Sequence, residues 1–380
     1  MNRPRLAIIG LRDYPSRGGT SRVVEDLVEE LKDTWDITLY CERSKDPGQH
    51  AEGLTLVRIP RMPFGSLGVF LFYAICSIHL LWRGQQDLVH VHKVDACALL
   101  PLLAWRFPTI ATSHESPYTR DKWSWLARSY FRLTESLMLR YATAVTCVSE
   151  KLSTEYQART QRPVHFIANG IRAGFPVDQE AAAQQLRALR IDGPFLLFAA
   201  RRIMASKGCH TLLDALQEQR VDLPLIIVGD FDKLPAYTRR LQSLAEGLPV
   251  AFVPALPRST LMGLVEQAEA FVFPSETEGM SMMLLEVAWL GTPIFASDIP
   301  ENTNVFSDQE ISYFPTGDSA ALSTRLEQHI EQPEAAAERA LRARQRVQEF
   351  HEIQQVVERY DSLYRRVLDQ ERARSDISGI

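Results

Sequence analysis

Short apolar runs of strand type alternate with amphipathic helical patterns along this chain, and no other feature narrows its fold as much. The N-terminal half reads LAIIG, VVEDLVEEL, DITLYCE and LTLVRIP, then DLVHVH, TIATSHE and AVTCVSE. Strands joined through helices run parallel, so the pattern predicts a helix-covered parallel sheet. After Asn169-Gly170 the same grammar restarts with FLLFAAR, HTLLDAL, PLIIVGD, VAFVPAL, AFVFPSE and PIFASD. A second α/β domain follows. The length of 380 residues agrees, because a single hydrophobic core stops growing well below it.

The expected domains are 1–172 and 173–350, with a connector at Phe175-Pro176-Val177-Asp178 and the Ala/Gln-rich helix after it. Residues 351–380 form a last helix, because Phe350, Ile353, Val357, Tyr360, Leu363 and Tyr364 recur at helical spacing on one stripe.

Composition removes several classes of function. Hydrophobic residues make up 46% and charged residues 23%, as in an ordinary globular protein. A net charge of −5 supplies no global field for nucleic acid, so no nucleic-acid partner is expected. Cys41, Cys76, Cys97, Cys147 and Cys209 are scattered, odd in number and without CxxC spacing. That disfavours a disulfide framework or zinc site and fits a reducing cytoplasm. The apolar stretch Leu6 to Leu11 is too short for a signal-peptide core and reads as a first strand. The run Leu67 to Trp82 falls short of the ~20 residues that span a bilayer.

Residues 274–293, PSETEGMSMMLLEVAWLGTP, carry the strongest chemical signal. A strand gives way to a helix stopped by Gly291 and Pro293, so Glu278, Gly279, Met280 and Ser281 are expected at a helix N-terminus. Free N–H groups and the helix dipole there favour an anion such as phosphate. Glu286 lies eight positions beyond Glu278, an offset that on one helix turns both carboxylates toward one ligand. A carboxylate suits paired sugar hydroxyls. A solvated helix residue is the alternative for Glu286, but its neighbours Leu284, Leu285, Val287 and Ala288 are apolar.

Residues 195–216 place Arg202, then Lys207-Gly208, after a strand. Two cations at a carboxyl strand end point into the crevice where α/β sheets bind ligands, where they would neutralise a leaving diphosphate without a metal. Ordinary surface cations are the alternative. Gly18-Gly19 after the first strand would let backbone approach a phosphate or sugar, or make a plain tight turn. No GxGxxG is present, which counts against a dinucleotide cofactor. His114 follows the strand TIATS and would donate to a sugar hydroxyl or the reacting centre, or serve structure. His90 and His92 share a strand face but lack a third ligand of metal-site spacing. Asp230 and Asp232 form a D-x-D that reads as a loop or helix cap, and no GxSxG nucleophile elbow occurs.

Together these residues resemble the retaining glycosyltransferase family 4 with its GT-B fold, two Rossmann-like domains facing an interdomain cleft, over nearly the whole chain. The marks are Gly18-Gly19, VSEKL at 148–152, Asn169-Gly170-Ile171, Arg202 with Lys207-Gly208, and Glu278 with Glu286. The opening GLRDYPSRGG and VHVHKVDACALLPLL are closest to a rhamnosyltransferase-like branch of bacterial surface-polysaccharide enzymes. The resemblance implies an N-terminal acceptor domain, a C-terminal nucleotide-sugar domain and a last helix crossing back to the first. Arg202 and Lys207 would bind the donor diphosphate, Glu286 the ribose, and Glu278 with the 279–281 backbone the transferred sugar. His114 matches the family histidine near the donor sugar.

No metal or other cofactor is implied; the donor would be a UDP- or GDP-sugar and the acceptor a glycan or lipid-linked glycan. Thr20 and Ser21 depart from the acidic or aromatic residues many relatives carry after the paired glycines. A nucleotide-sugar epimerase or phosphorylase of the same fold, or an inactive scaffold, would share much of the pattern. A peripheral membrane contact is expected from residues 120–132, where Trp123 and Trp125 stand among Arg120, Lys122, Arg128 and Arg132. In projection Leu126, Tyr130, Leu133, Leu137 and Tyr141 form the inward stripe of that helix.

Overall fold

The computed structural model describes residues 3–16, 19–43, 53–115, 124–218, 223–231 and 234–378. The chain divides into two compact units, one of residues 1–170 with 353–380 and one of residues 171–352.

The first unit is built on seven parallel strands: β1 (Arg5–Ile9), β2 (Asp36–Glu42), β3 (Leu54–Ile59), β4 (Leu88–His92), β5 (Thr109–Ser113), β6 (Ala144–Cys147) and β7 (Val164–Phe166). Their spatial order is β3-β2-β1-β4-β5-β6-β7. Every residue of β4 and β5 is buried, as expected for central strands with helices on both faces. Alternate side chains of β1 go to opposite cores. Leu6 and Ile8 join the face covered by helix Gly19–Leu31 and the last helix Ile353–Ser378, whereas Ala7 and Ile9 join Phe72, Cys76, Leu80, Leu103 and Met138. The last helix is anchored by Tyr360 and Tyr364, both at most 2% exposed, and by Trp35 Nε1 donating to Asp361 at 2.7 Å. All five cysteines are free thiols and buried.

The second unit repeats the plan with β8 (Leu196–Arg202), β9 (Leu225–Asp230), β10 (Val250–Pro254), β11 (Ala270–Phe273), β12 (Ile294–Ser297) and β13 (Ser312–Phe314). The order β10-β9-β8-β11-β12-β13 is again that of a Rossmann-like sheet. In both units the third connection reverses the direction in which strands are added. The reversal point lies between β1 and β4 in the first unit and between β8 and β11 in the second.

One helix differs from the sequence expectation. Trp125–Tyr141 is helical, but Leu126 and Leu133 are 61% and 58% exposed, and its buried face is Phe131, Thr134, Glu135, Met138 and Leu139. Glu135 turns inward because Tyr156 donates to it and Arg159 pairs with it, both at 2.7 Å. A buried carboxylate is tolerated when so paired, and it rotates the helix away from the purely apolar stripe. Residues 120–123, with Trp123 and the cations Arg120 and Lys122, lie outside the described residues.

Candidate functional site

At each reversal point two parallel strands leave a crevice at their carboxyl ends, the place where open α/β sheets take ligands. In the second unit that crevice collects most of the residues singled out by sequence. β8 ends at Arg202, which is exposed. A short 3-10 turn, Ala205–Lys207, then leads through Gly208 into helix Cys209–Glu218. β11 ends at Phe273, and the segment 274–281 leads into helix Met282–Leu290.

The two segments are locked together by backbone. Gly208 has φ +67°, and a Cβ there would lie 1.8 Å from the carbonyl oxygen of Pro274. Only glycine permits that approach. Glu276 N–H donates to the Ser206 carbonyl at 3.0 Å, and Lys207 Nζ pairs with Glu278 Oε1, the carboxylate side chain being 9% exposed. An ammonium has three donors, so this pair leaves Lys207 others to offer.

Glu278 precedes the helix rather than sitting on it, so the helical offset between Glu278 and Glu286 does not apply. The two carboxylates have different partners. Glu286, on the helix and fully buried, receives Arg258 Nη2 at 2.8 Å. Arg258 belongs to helix Arg258–Gln267, and its guanidinium lies 4.7 Å from the centre of the Phe175 ring. Nothing in the sequence around Arg258 marks it; the signal that finds it is the need of a buried Glu286 for a cation. Ser281 caps the helix, its hydroxyl accepting from Leu284 N–H at 3.4 Å, and Gly279 and Met280 are partly exposed beside it. Next to the pair, His210 Nδ1 meets the Tyr237 hydroxyl at 2.9 Å.

The first unit presents a second cluster at its own reversal point. Gly10, φ +117°, ends β1 so closely against β4 that a Cβ would fall 1.8 Å from the His92 carbonyl oxygen. His92 Nδ1 and His114 Nε2 are 3.2 Å apart, with the rings 0% and 9% exposed. Burial, and then the Lys93 ammonium, push His114 down to about 3. Burial also holds His92 well below the usual imidazole range, with His90, His114 and Lys93 adding to the effect. Both rings are therefore neutral at pH 7. Arg12 pairs with Glu42 at 2.7 Å nearby. Gly19 opens its helix, whereas Gly18 lies outside the described residues, as does Asp232; Asp230 ends β9. Among the described residues no three metal-ligating side chains converge.

Two family models match the chain: "Glycosyltransferase Family 4" over residues 17–174 and "Glycosyl transferases group 1" over residues 182–346. The alpha-maltose-1-phosphate synthase of Mycolicibacterium smegmatis is 23% identical over 94% of this chain and 98% of its own. The phosphatidyl-myo-inositol mannosyltransferase of Mycobacterium leprae is 32% identical over 64% of each chain, so the match spans less than two thirds of that relative. Among solved structures, Anabaena HepE in complex with UDP and glucose superposes with a TM-score of 0.78 at 17% identity, covering 95% of this chain and 99% of that one. The two-unit α/β architecture is thus the GT-B fold.

Proposed function

Since the chain is a GT4-like glycosyltransferase, we propose that it moves a sugar from a UDP- or GDP-sugar, held by the unit of residues 171–352, to a glycan or lipid-linked acceptor. The carrying observation is the Lys207–Glu278 pair at the β8/β11 reversal point, with Arg202 at the end of β8. Lys207 and Arg202 neutralise the leaving diphosphate. Glu286, oriented by Arg258, accepts from the ribose hydroxyls, and Glu278 with the N–H groups of 279–281 holds the transferred sugar. His114 donates to the reacting sugar.

On this reading the configuration is retained: the diphosphate departs and the acceptor arrives on one face of the sugar, with no enzyme nucleophile. Charge builds on the diphosphate in the transition state, where each well-placed donor is worth ~3 kcal/mol. No metal takes part. The complex with UDP and glucose in a protein of the same fold supports a nucleotide-sugar donor. The first unit takes the acceptor, and the role is surface-polysaccharide assembly in the rhamnosyltransferase-like branch.

A lipid-linked acceptor gives a peripheral membrane contact a purpose. Its face differs from the one read from sequence, because Leu126 and Leu133 now belong to the exposed surface. Trp82, Trp105 and Trp125 are 77%, 87% and 73% exposed. Helix Leu100–Arg106, which bears Trp105, packs against both helix Gly65–Arg83 and helix Trp125–Tyr141. Exposed tryptophan beside arginine suits lipid headgroups.

The transferase reading is tested with Lys207→Ala and Arg202→Ala. Each should lower turnover by about two orders of magnitude with the fold intact. Near-normal turnover in both would overturn the site assignment.

A further inference from the structure

Three histidines line up along β4 and past the carboxyl end of β5: His90 in mid-strand, His92 at the end of β4 and His114 just after β5. His90 and His92 alternate on β4, their rings tilted by 38° with centres 3.9 Å apart. His90 is satisfied on both sides, with Nδ1 at 2.6 Å from the Tyr364 hydroxyl and Nε2 at 2.6 Å from Thr112 Oγ1. It does not compete for His92. Among the described residues His92 has one hydrogen-bond partner, His114, and its Nε2 is buried with none.

Burial and the Lys93 ammonium disfavour imidazolium, so in the His92–His114 contact one neutral ring donates and the other accepts. If His114 Nε2 carried the proton, His92 would hold its own on Nε2, leaving a buried N–H without an acceptor. If His92 Nδ1 carries it, what is left unpaired is only a lone pair. An orphaned buried donor is the rarer and costlier outcome. We propose that His92 is a positioning residue: its Nδ1–H donates to His114 Nε2 and thereby fixes the proton of His114 on Nδ1. His114 then meets its ligand as a hydrogen-bond donor and not as a base. The inference rests on the reading of His114 as a group that touches the sugar, and it says which half of the ring does so. The charged and titratable groups facing the pair are Lys93 and His90, with Tyr364 and Tyr360 of the last helix behind His90.

The test uses the full chain with ¹⁵N-labelled histidine and two variants. His92→Phe keeps a flat ring but removes the donor, and His92→Asn returns an amide N–H near the place of Nδ1. In the wild type, His114 should show a protonated Nδ1 and a bare Nε2; in His92→Phe the two tautomers should mix. With the nucleotide sugar selected from a UDP-, GDP-, dTDP- and ADP-sugar panel, His92→Phe should lose about tenfold in kcat with KM within about twofold, and His92→Asn should recover most of the loss. In the background of His114→Ala, His92→Phe should cost nothing further. A folded His92→Phe with wild-type kcat, or a wild-type His114 protonated on Nε2, would overturn the inference. Wild-type turnover in His114→Ala would instead overturn the catalytic reading of His114, and the ¹⁵N shifts would still decide its tautomer.

Discussion

Removing the guanidinium of Arg258 should unsettle the second unit more than its half-exposed position suggests. Its partner Glu286 is 0% exposed and only 2.8 Å away, while Arg258 itself is 32% exposed. Deleting one member of a fully buried pair costs about 3–5 kcal/mol, because a charge is left without compensation. Water reaches Arg258, which scales the loss down to about 2–3 kcal/mol, part of it the stacking on Phe175. For a domain of this size each kcal/mol moves the midpoint by about 2–4 °C, so Arg258→Ala should lower the melting of the second unit by about 5–10 °C. Replacing both partners, Arg258→Met with Glu286→Gln, should cost less than Arg258→Ala alone, because no buried charge remains. Differential scanning calorimetry of the three proteins decides the matter. A midpoint for Arg258→Ala within about 1 °C of wild type would refute the argument that Glu286 depends on that cation.

The three neutral histidines make the first unit acid-sensitive. His90 and His114 sit at about 3 in the fold against an ordinary 6.5, so the unfolded chain binds more protons between those values. Their contribution is fully present above pH 6.5 and is lost as pH falls below it, on the order of 1–2 kcal/mol per histidine by pH 5. Melting followed from pH 7 to pH 5 should show that decline, and a flat profile would contradict the burial argument. Turnover should survive EDTA; complete loss restored by a divalent cation would contradict the cation-only treatment of the diphosphate. The protein should float with anionic liposomes at low salt and release at high salt, and Trp82→Ser with Trp105→Ser should weaken that binding. A wild type that stays in the soluble fraction at low salt would end the membrane reading.

The alternation of strand and helix was readable because central parallel strands such as LVHVH and TIATS are buried on both faces and therefore stand out as short runs rich in β-branched and apolar residues. β7 and β13 escaped notice for the opposite reason: Val164–Phe166 and Ser312–Phe314 are three-residue edge strands, half-covered and too short to show a period. The start of helix Met282–Leu290 just after Ser281 was legible because helix start and stop signals are local. The Lys207–Glu278 pair joins residues far apart in sequence, brought together because β8 and β11 are neighbours in space. Arg258 and the inward Glu135 illustrate the same limit. Each is explained by a partner from another element, and no pattern within its own helix announces it.

The central claim is that the second unit binds a nucleoside diphosphate through Lys207. Titration calorimetry with UDP, GDP, dTDP and ADP, on wild type and on Lys207→Ala, tests it most directly. Wild type should bind at least one of the four, and Lys207→Ala should bind the same one at least about tenfold more weakly, the loss of one charge-assisted contact. A wild type that binds none of the four, or a Lys207→Ala that binds as tightly as wild type, would contradict it.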